Sequence, residues 1–158
     1  MKILITGGNG QLGKSLINAY EYSFKGNNKD NELIIPSRNE LDLTDMQNCK
    51  EIIETIKPNW LINTAAYTAV DKAETEPALA KKINFEAAQV FAESLRKIGG
   101  HFIQISTDFV FDGDQNFPYK PYQLGNPINA YGLSKLNGEK EIEKLLSGTG
   151  QAVILRTS

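Results

Sequence analysis

The chain has 158 residues, 41% of them apolar and 23% charged, the profile of a globular domain able to bury a core rather than of a disordered or fibrous chain. Its net charge of -2 leaves no electrostatic footprint for nucleic acid. One cysteine, Cys49, excludes an internal disulfide and suits a reducing compartment, and no apolar run is long enough for a secretory leader or a membrane span, so a cytoplasmic protein without a membrane partner is expected.

The first predicted element is a short strand, Ile3-Leu4-Ile5, that passes through Thr6 into Gly7-Gly8-Asn9-Gly10-Gln11-Leu12-Gly13. Glycine suits three different tasks there: a tight turn off the strand at Gly7, close approach of a phosphate to the backbone at Gly10, and close packing of a helix on the sheet at Gly13. The helix expected over 11–22 carries an apolar stripe of Leu12, Leu16, Ile17 and Tyr20. It aims its unpaired N–H groups and the positive end of its dipole at the loop. Strand, glycine loop and helix together predict a phosphate cradle.

A polar turn over 24–31 leads to a second strand over 32–36. A dinucleotide-binding βαβ unit selective for NAD would place an acid near the end of that strand to hold the ribose 2′-hydroxyl. This chain has Ser37-Arg38 instead, a pair suited to a 2′-phosphate, so NADPH is preferred and NADH admitted; the alternative is an arginine that only faces solvent. Asp42-Leu43 is a candidate adenine contact. Thr44 is the expected N-cap of a helix that ends near Ile56, with Asp45 in its first turn.

Trp60-Leu61-Ile62-Asn63 reads as a third strand buried on both faces. It runs into Thr64-Ala65-Ala66-Tyr67-Thr68, whose small residues either admit a flat ligand to the backbone or simply fit a tight turn. Residues 70–98 are helical in pattern, with a break at Pro77 and a core face of Ile83, Ala87, Val90, Phe91, Ser94 and Leu95. Asn84 on that face either ties the helix to the strand edge or is plainly structural. Gly99-Gly100 closes the helix, and a fourth strand begins at His101, which lies at the end remote from the glycine loop and reads as structural. The alternation of strands and helices predicts an α/β fold, a Rossmann-type doubly wound parallel sheet with helices on both faces.

The fourth strand ends in Ser106-Thr107-Asp108, where such a fold places its chemistry. Beyond an irregular loop, Asn129-Ala130-Tyr131-Gly132-Leu133-Ser134-Lys135 enters a helix reaching Leu146, with Tyr131 and Lys135 one turn apart on one face. An ammonium near a phenol favours phenolate and draws its pKa toward neutrality, and a Thr107 hydroxyl beside it could share a substrate carbonyl. Composition alone would produce about half a chance Tyr-x-x-x-Lys match in such a chain, so the motif draws its weight from its place after the glycine loop and the Ser-Thr strand end.

The ordered set TGGNGQLG, NTAAYTAVDKAE, STDFVFDG and YGLSK resembles the extended short-chain dehydrogenase/reductase superfamily, most closely its dTDP-4-dehydrorhamnose reductase branch, over essentially the whole chain. The resemblance implies NADPH-dependent reduction of the C4 ketone of dTDP-4-dehydro-L-rhamnose to dTDP-L-rhamnose. It carries over Thr107, Tyr131 and Lys135 as the catalytic set, with Tyr131 as proton donor and Lys135 also a ribose ligand. Gly7, Gly10, Gln11, Leu12, Gly13, Arg38, Asp42, Leu43, Ala65, Ala66 and Tyr67 carry over to the cofactor, and Thr68, Val70, Asp108 and Phe109 to the sugar nucleotide. No metal ligands are implied, and a homodimer is admitted. Phe109 departs from the tyrosine common at that position.

Members of the family continue past the strand that ends near Ser158 into a substrate-binding portion, so residues 1–158 read as the NAD(P)-binding half of a longer enzyme. Two other readings stay open: an epimerase or dehydratase of nucleotide sugars in the same superfamily, and a non-catalytic subunit resembling the regulatory partner of methionine adenosyltransferase. An intact Thr107, Tyr131 and Lys135 favours the enzyme.

Overall fold

All the strands point the same way. In the computed structural model, which describes residues 1–24 and 31–158, strands β1 (Lys2–Thr6), β2 (Glu32–Ile34), β3 (Trp60–Asn63), β4 (His101–Thr107) and β5 (Ala152–Thr157) form a parallel sheet in the order β2-β1-β3-β4-β5. Of the polar turn expected over 24–31, residues 25–30 lie outside the described residues, and Phe24 is the last residue of α1 (Gln11–Phe24). β2 stops two residues short of the expected Pro36, a residue with no N–H to give to a ladder.

The first crossover is α1 (Gln11–Phe24) and the second α2 (Met46–Ile56). The expected cap of α2 is corrected by one residue: Asp45, extended at φ -109° and ψ 100°, accepts from the Asn48 N–H at 3.0 Å. Thr44 instead turns inward, giving its N–H and hydroxyl to Asp42 Oδ1 at 2.9 and 2.8 Å. A carboxylate two residues upstream competes for the threonine and wins it for a turn.

The third crossover is segmented into α3 (Val70–Ala73), α4 (Pro77–Lys81), a π-helical turn (Lys82–Glu86) and α5 (Ala87–Ile98). The break precedes Pro77, which opens α4 at a position where a missing N–H costs nothing. Gly99, at φ 75°, closes α5 in the left-handed conformation. A 3₁₀ turn (Asp108–Val110) follows β4, and α6 (Ala130–Leu146) leads to β5.

Alternation along the strands separates two faces. Leu4, Leu61 and Phe102 join Cys49 and Ile53 of α2, Phe91, Ala92 and Leu95 of α5 and Ile142 and Leu146 of α6 in the main core. Ile3, Ile5, Leu33 and Ile62 lie on the opposite side with Leu16, Ala19 and Tyr20 of α1. The core face read from the sequence of α5 is largely buried, and His101 stacks on Trp60 with ring centroids 4.6 Å apart, as a structural residue would.

α6 is seated by close backbone contact. A methyl group on Gly132 would run into the Phe109 carbonyl, and one on Gly138 into the Asn84 carbonyl. Its N-terminus is held twice, by Asn129 Oδ1 accepting from the Gly132 N–H at 2.7 Å and by Glu74 Oε1 accepting from the Ala130 N–H at 2.8 Å. Just past its middle, buried Glu139 meets Arg156 of β5: Nη2 to Oε2 is 2.6 Å, and Nε lies 3.1 Å from both carboxylate oxygens. Arg156 also donates to the Pro121 carbonyl at 3.1 Å and stands 5.0 Å from the Phe111 ring centre, fastening the loop after β4 to the sheet.

Candidate active site

The parallel sheet brings the carboxyl ends of β1, β3 and β4 into line, with Thr6 opposite Asn63 and Asn63 opposite Gln104. The glycine loop leaves β1 at one end of that line. Gly7 has φ 70°, and a side chain there would press on Ala65 N at 2.7 Å and Thr64 Oγ1 at 2.8 Å. The Gly10 N–H closes the turn on the Gly7 carbonyl at 2.9 Å. Gly13 lies so near the Gly7 carbonyl and Gly8 Cα that no methyl group fits, which seats the first turn of α1 directly on the loop. Gln11 and Leu12 are exposed there, where the first N–H groups of a helix lack intrahelical partners. These N–H groups, at the positive end of the helix dipole, fit a phosphate.

Arg38 is exposed in the loop after β2, and its charge, after the Thr44 hydrogen bonds, helps hold the Asp42 carboxyl below its usual range. Asp42 and Leu43 are half-buried. The Asp42 carboxylate is engaged by Thr44 rather than free for a ligand on that oxygen. Cys49 beneath them is pushed up to about 12 by burial and donates to the Asp42 carbonyl at 3.5 Å, an inert thiol.

On the loop after β3, Ala65, Ala66 and Tyr67 are half-buried and Thr68 exposed. The Tyr67 backbone is clamped by Asn84: Oδ1 accepts from the Tyr67 N–H at 2.8 Å and Nδ2 donates to the Tyr67 carbonyl at 3.0 Å. The same Nδ2 donates to Ser134 Oγ at 2.9 Å, and Ser134 donates to the Tyr131 carbonyl at 2.7 Å. Asn84 thus joins the third crossover, the β3 edge and α6, the first of the two roles its sequence position allowed. The Tyr67 hydroxyl donates to Glu76 Oε2 at 2.6 Å, which raises that phenol to about 12.

Thr107, Tyr131 and Lys135 come together at the end of β4, all buried. Thr107 Oγ1 donates to Asp108 Oδ1 at 3.1 Å and accepts from the Phe109 N–H at 3.2 Å. Burial lifts the Tyr131 phenol above its ordinary value, and its side-chain hydrogen bond with Thr107 partly offsets the lift. The Lys135 ammonium donates to the Ile105 carbonyl at 2.6 Å, and desolvation lowers it to about 8 against the opposing charge of Glu139. The expectation that Lys135 would draw the phenol pKa down is therefore corrected. In this arrangement burial dominates Tyr131, and the ammonium is spent on a carbonyl two strand residues before the threonine. Phe109 packs edge-on against Tyr131 with centroids 5.6 Å apart, and Val70 joins Tyr131 in a small apolar cluster, while Asp108 is exposed.

Sequence reasoning passed over Asn63, Gln104 and Glu74. The signal was present for the first two: an amide on the core face of an apolar strand must find buried partners. Among the described residues no group of three or more His, Cys, Asp or Glu side chains could hold a metal ion, and no helix is long and apolar enough to cross a membrane.

Comparisons with known proteins agree with this fold. The dTDP-4-dehydrorhamnose reductase of Burkholderia thailandensis is 44% identical over 139 residues, covering 88% of this chain and 44% of its own length. A crystal structure of a dTDP-4-dehydrorhamnose reductase from Clostridium acetobutylicum superposes with a TM-score of 0.89 at 39% identity, covering 100% of this chain and 53% of its own. That of the Bacillus anthracis reductase in complex with NADP gives 0.87 at 36% identity, covering 99% and 53%. The chain spans about half the length of these relatives. The family model described as the RmlD substrate binding domain matches residues 1–158, and the chain belongs to that family.

Proposed function

We propose that the chain is the dinucleotide-binding half of an NADPH-dependent dTDP-4-dehydrorhamnose reductase, which reduces the C4 ketone of dTDP-4-dehydro-L-rhamnose to dTDP-L-rhamnose. The observation that carries the reading is the convergence of Thr107, Tyr131 and Lys135 on the sheet edge that also bears the glycine loop. Support from relatives comes from the printed activity of the Burkholderia enzyme and the NADP bound to the Bacillus one.

In this reading the Gly7–Gly13 loop and the N-terminus of α1 hold the pyrophosphate, Arg38 the 2′-phosphate, Asp42 and Leu43 the adenine side, and Ala65, Ala66 and Tyr67 the path to the nicotinamide. Bound NADPH supplies the hydride. Thr107 and Tyr131 hydroxyls grip the ketone oxygen and polarise it, and Tyr131 gives that oxygen its proton as the carbon becomes an alcohol. A phenol raised by burial stays protonated at neutral pH, the state a proton donor needs. Lys135 holds the nicotinamide ribose. Thr68, Val70, Asp108 and Phe109 border the sugar nucleotide. Residues 1–158 act as the cofactor domain, and a homodimer is the assembly to be tested by sedimentation.

The test is NADPH oxidation by the full-length gene product with dTDP-4-dehydro-L-rhamnose. Turnover lost in Tyr131→Phe is expected; cofactor binding without any turnover of this substrate by the unmutated protein refutes the reductase. Arg38→Ala should weaken NADPH by about tenfold relative to NADH, and an unchanged ratio removes Arg38 from the site.

A further inference from the structure

Beneath the site runs a buried line of hydrogen bonds that the reaction as described does not use. Thr6 Oγ1 donates to Asn63 Oδ1 at 2.5 Å, Asn63 Nδ2 to Gln104 Oε1 at 2.8 Å, and Gln104 Nε2 to the Ile105 carbonyl at 2.7 Å. That carbonyl is also the anchor of Lys135 Nζ, at 2.6 Å. Thr6, Asn63, Gln104 and Lys135 are each at most 4% exposed, so water supplies none of these partners. The direction of the line is forced from its far end. A carbonyl only accepts, so Gln104 must present its NH₂ there and its oxygen to Asn63, which fixes the Asn63 amide and the Thr6 hydroxyl in turn. The line starts one residue before Gly7 and ends on the lysine, crossing β1, β3 and β4 between the glycine loop and Lys135.

Two donors on one carbonyl fill both its lone pairs. Lys135 is desolvated and held by that carbonyl, yet its proposed task is to hold a ribose hydroxyl. The ammonium has further N–H donors, but any shift toward the ligand lengthens its bond to the carbonyl in a place closed to water, and a buried acceptor left underpaired is costly. With Gln104 in place the carbonyl keeps one hydrogen bond throughout.

We propose that Gln104 is a positioning residue for Lys135: by sharing the Ile105 carbonyl it keeps that acceptor paired and frees the ammonium to exchange it for a ribose hydroxyl of the bound dinucleotide. The proposal rests on the reading of Lys135 as a ribose ligand given above.

Gln104→Met removes both amide functions at similar volume, and Gln104→Glu keeps the acceptor for Asn63 while removing the donor to Ile105. NADPH affinity should fall about tenfold in Gln104→Met. In a double-mutant cycle the same change in a Lys135→Met background should cost less than about twofold, because a residue acting through the lysine has nothing left to act on. Without cofactor, the ¹³Cε resonance of Lys135 should titrate at higher pH in both variants, more so in Gln104→Glu. Equal losses of affinity in the two backgrounds, or a Lys135 titration unmoved in Gln104→Glu, overturn the role of Gln104 and leave it structural.

If a variant fails to fold, the unmutated protein still decides. Its Gln104 side-chain NH₂ resonances should shift with the Lys135 titration and again on NADPH addition, and their indifference to both overturns the proposal. A protein that binds no NADPH at all refutes the reading of the site instead, and the titration then still reports whether the carbonyl is shared.

Discussion

Replacing Arg156 by methionine should strand the Glu139 carboxylate. Glu139 is 1% exposed, and the three short N–O approaches to it all come from Arg156, whose own side chain is 21% exposed. The arginine can be withdrawn toward solvent; the glutamate cannot. Removing one partner of such a pair costs about 3–5 kcal/mol, since the remaining charge loses its compensation without regaining water. The lost hydrogen bond to Pro121 and the contact with the Phe111 ring add to this. For a chain of this size that translates to a fall in Tm of about 6–20 °C.

The double variant Glu139→Leu with Arg156→Met removes the stranded charge, so it should recover most of the loss and unfold above Arg156→Met alone. Urea unfolding followed by the fluorescence of Trp60, the single tryptophan, measures both. A cost below about 1 kcal/mol for Arg156→Met, or a double variant no more stable than the single, would show that the carboxylate finds water or another partner and that the pair does not fasten α6 to β5.

Gly13→Ala should abolish NADPH binding and destabilise the fold by about 1–3 kcal/mol, because the added methyl meets the Gly7 carbonyl and Gly8 Cα, neither able to swing aside; normal affinity by fluorescence titration would refute the seating of α1 on the loop. Asn84→Ala removes the bonds to both backbone groups of Tyr67 and the one to Ser134, and it should cost about 2–3 kcal/mol and speed hydrogen exchange of the Tyr67 amide at least tenfold. Unchanged exchange would mean that the clamp is not what orders that loop. The depressed Lys135 pKa makes the folded state bind fewer protons than the unfolded one between about 8 and the ordinary 10.5. Its penalty is therefore full below about pH 8 and relieved as pH rises toward 10.5. The urea midpoint of the unmutated protein relative to Lys135→Met should climb across that window, and parallel curves would show the lysine is not desolvated.

The parts of this molecule legible in the sequence are those governed by local chemistry. The strand and glycine loop of residues 2–13 announce themselves because turn, close approach and helix seating each demand glycine at a fixed offset. Gly99 likewise ends its helix for a reason that depends on its own neighbours. Thr44 was misjudged because two residues with equal capping ability stood side by side, and the Asp42 carboxylate decided between them. The π-helical turn at 82–86 left no periodic mark, since one extra residue per turn is smaller than the tolerance of an apolar stripe. The behaviour of Tyr131 beside Lys135 was misread for a different reason. Spacing along a helix places two groups on one face, but the balance between burial and charge depends on the Ile105 carbonyl, thirty positions away, that takes the ammonium.

The two glycines of α6 lie six residues apart, about 9 Å along the helix axis. Each rests on a main-chain carbonyl, one from the loop after β4 and one from the third crossover, so the helix is gauged at two points against polypeptide rather than against side chains. Two such bearings fix both how far the helix slides and how it rolls. Tyr131 and Lys135 inherit their coordinates from that mounting. The phenol and the ammonium are thus held in place through contacts with peptide carbonyls, which every residue carries, whatever side chains stand on the segments that supply them.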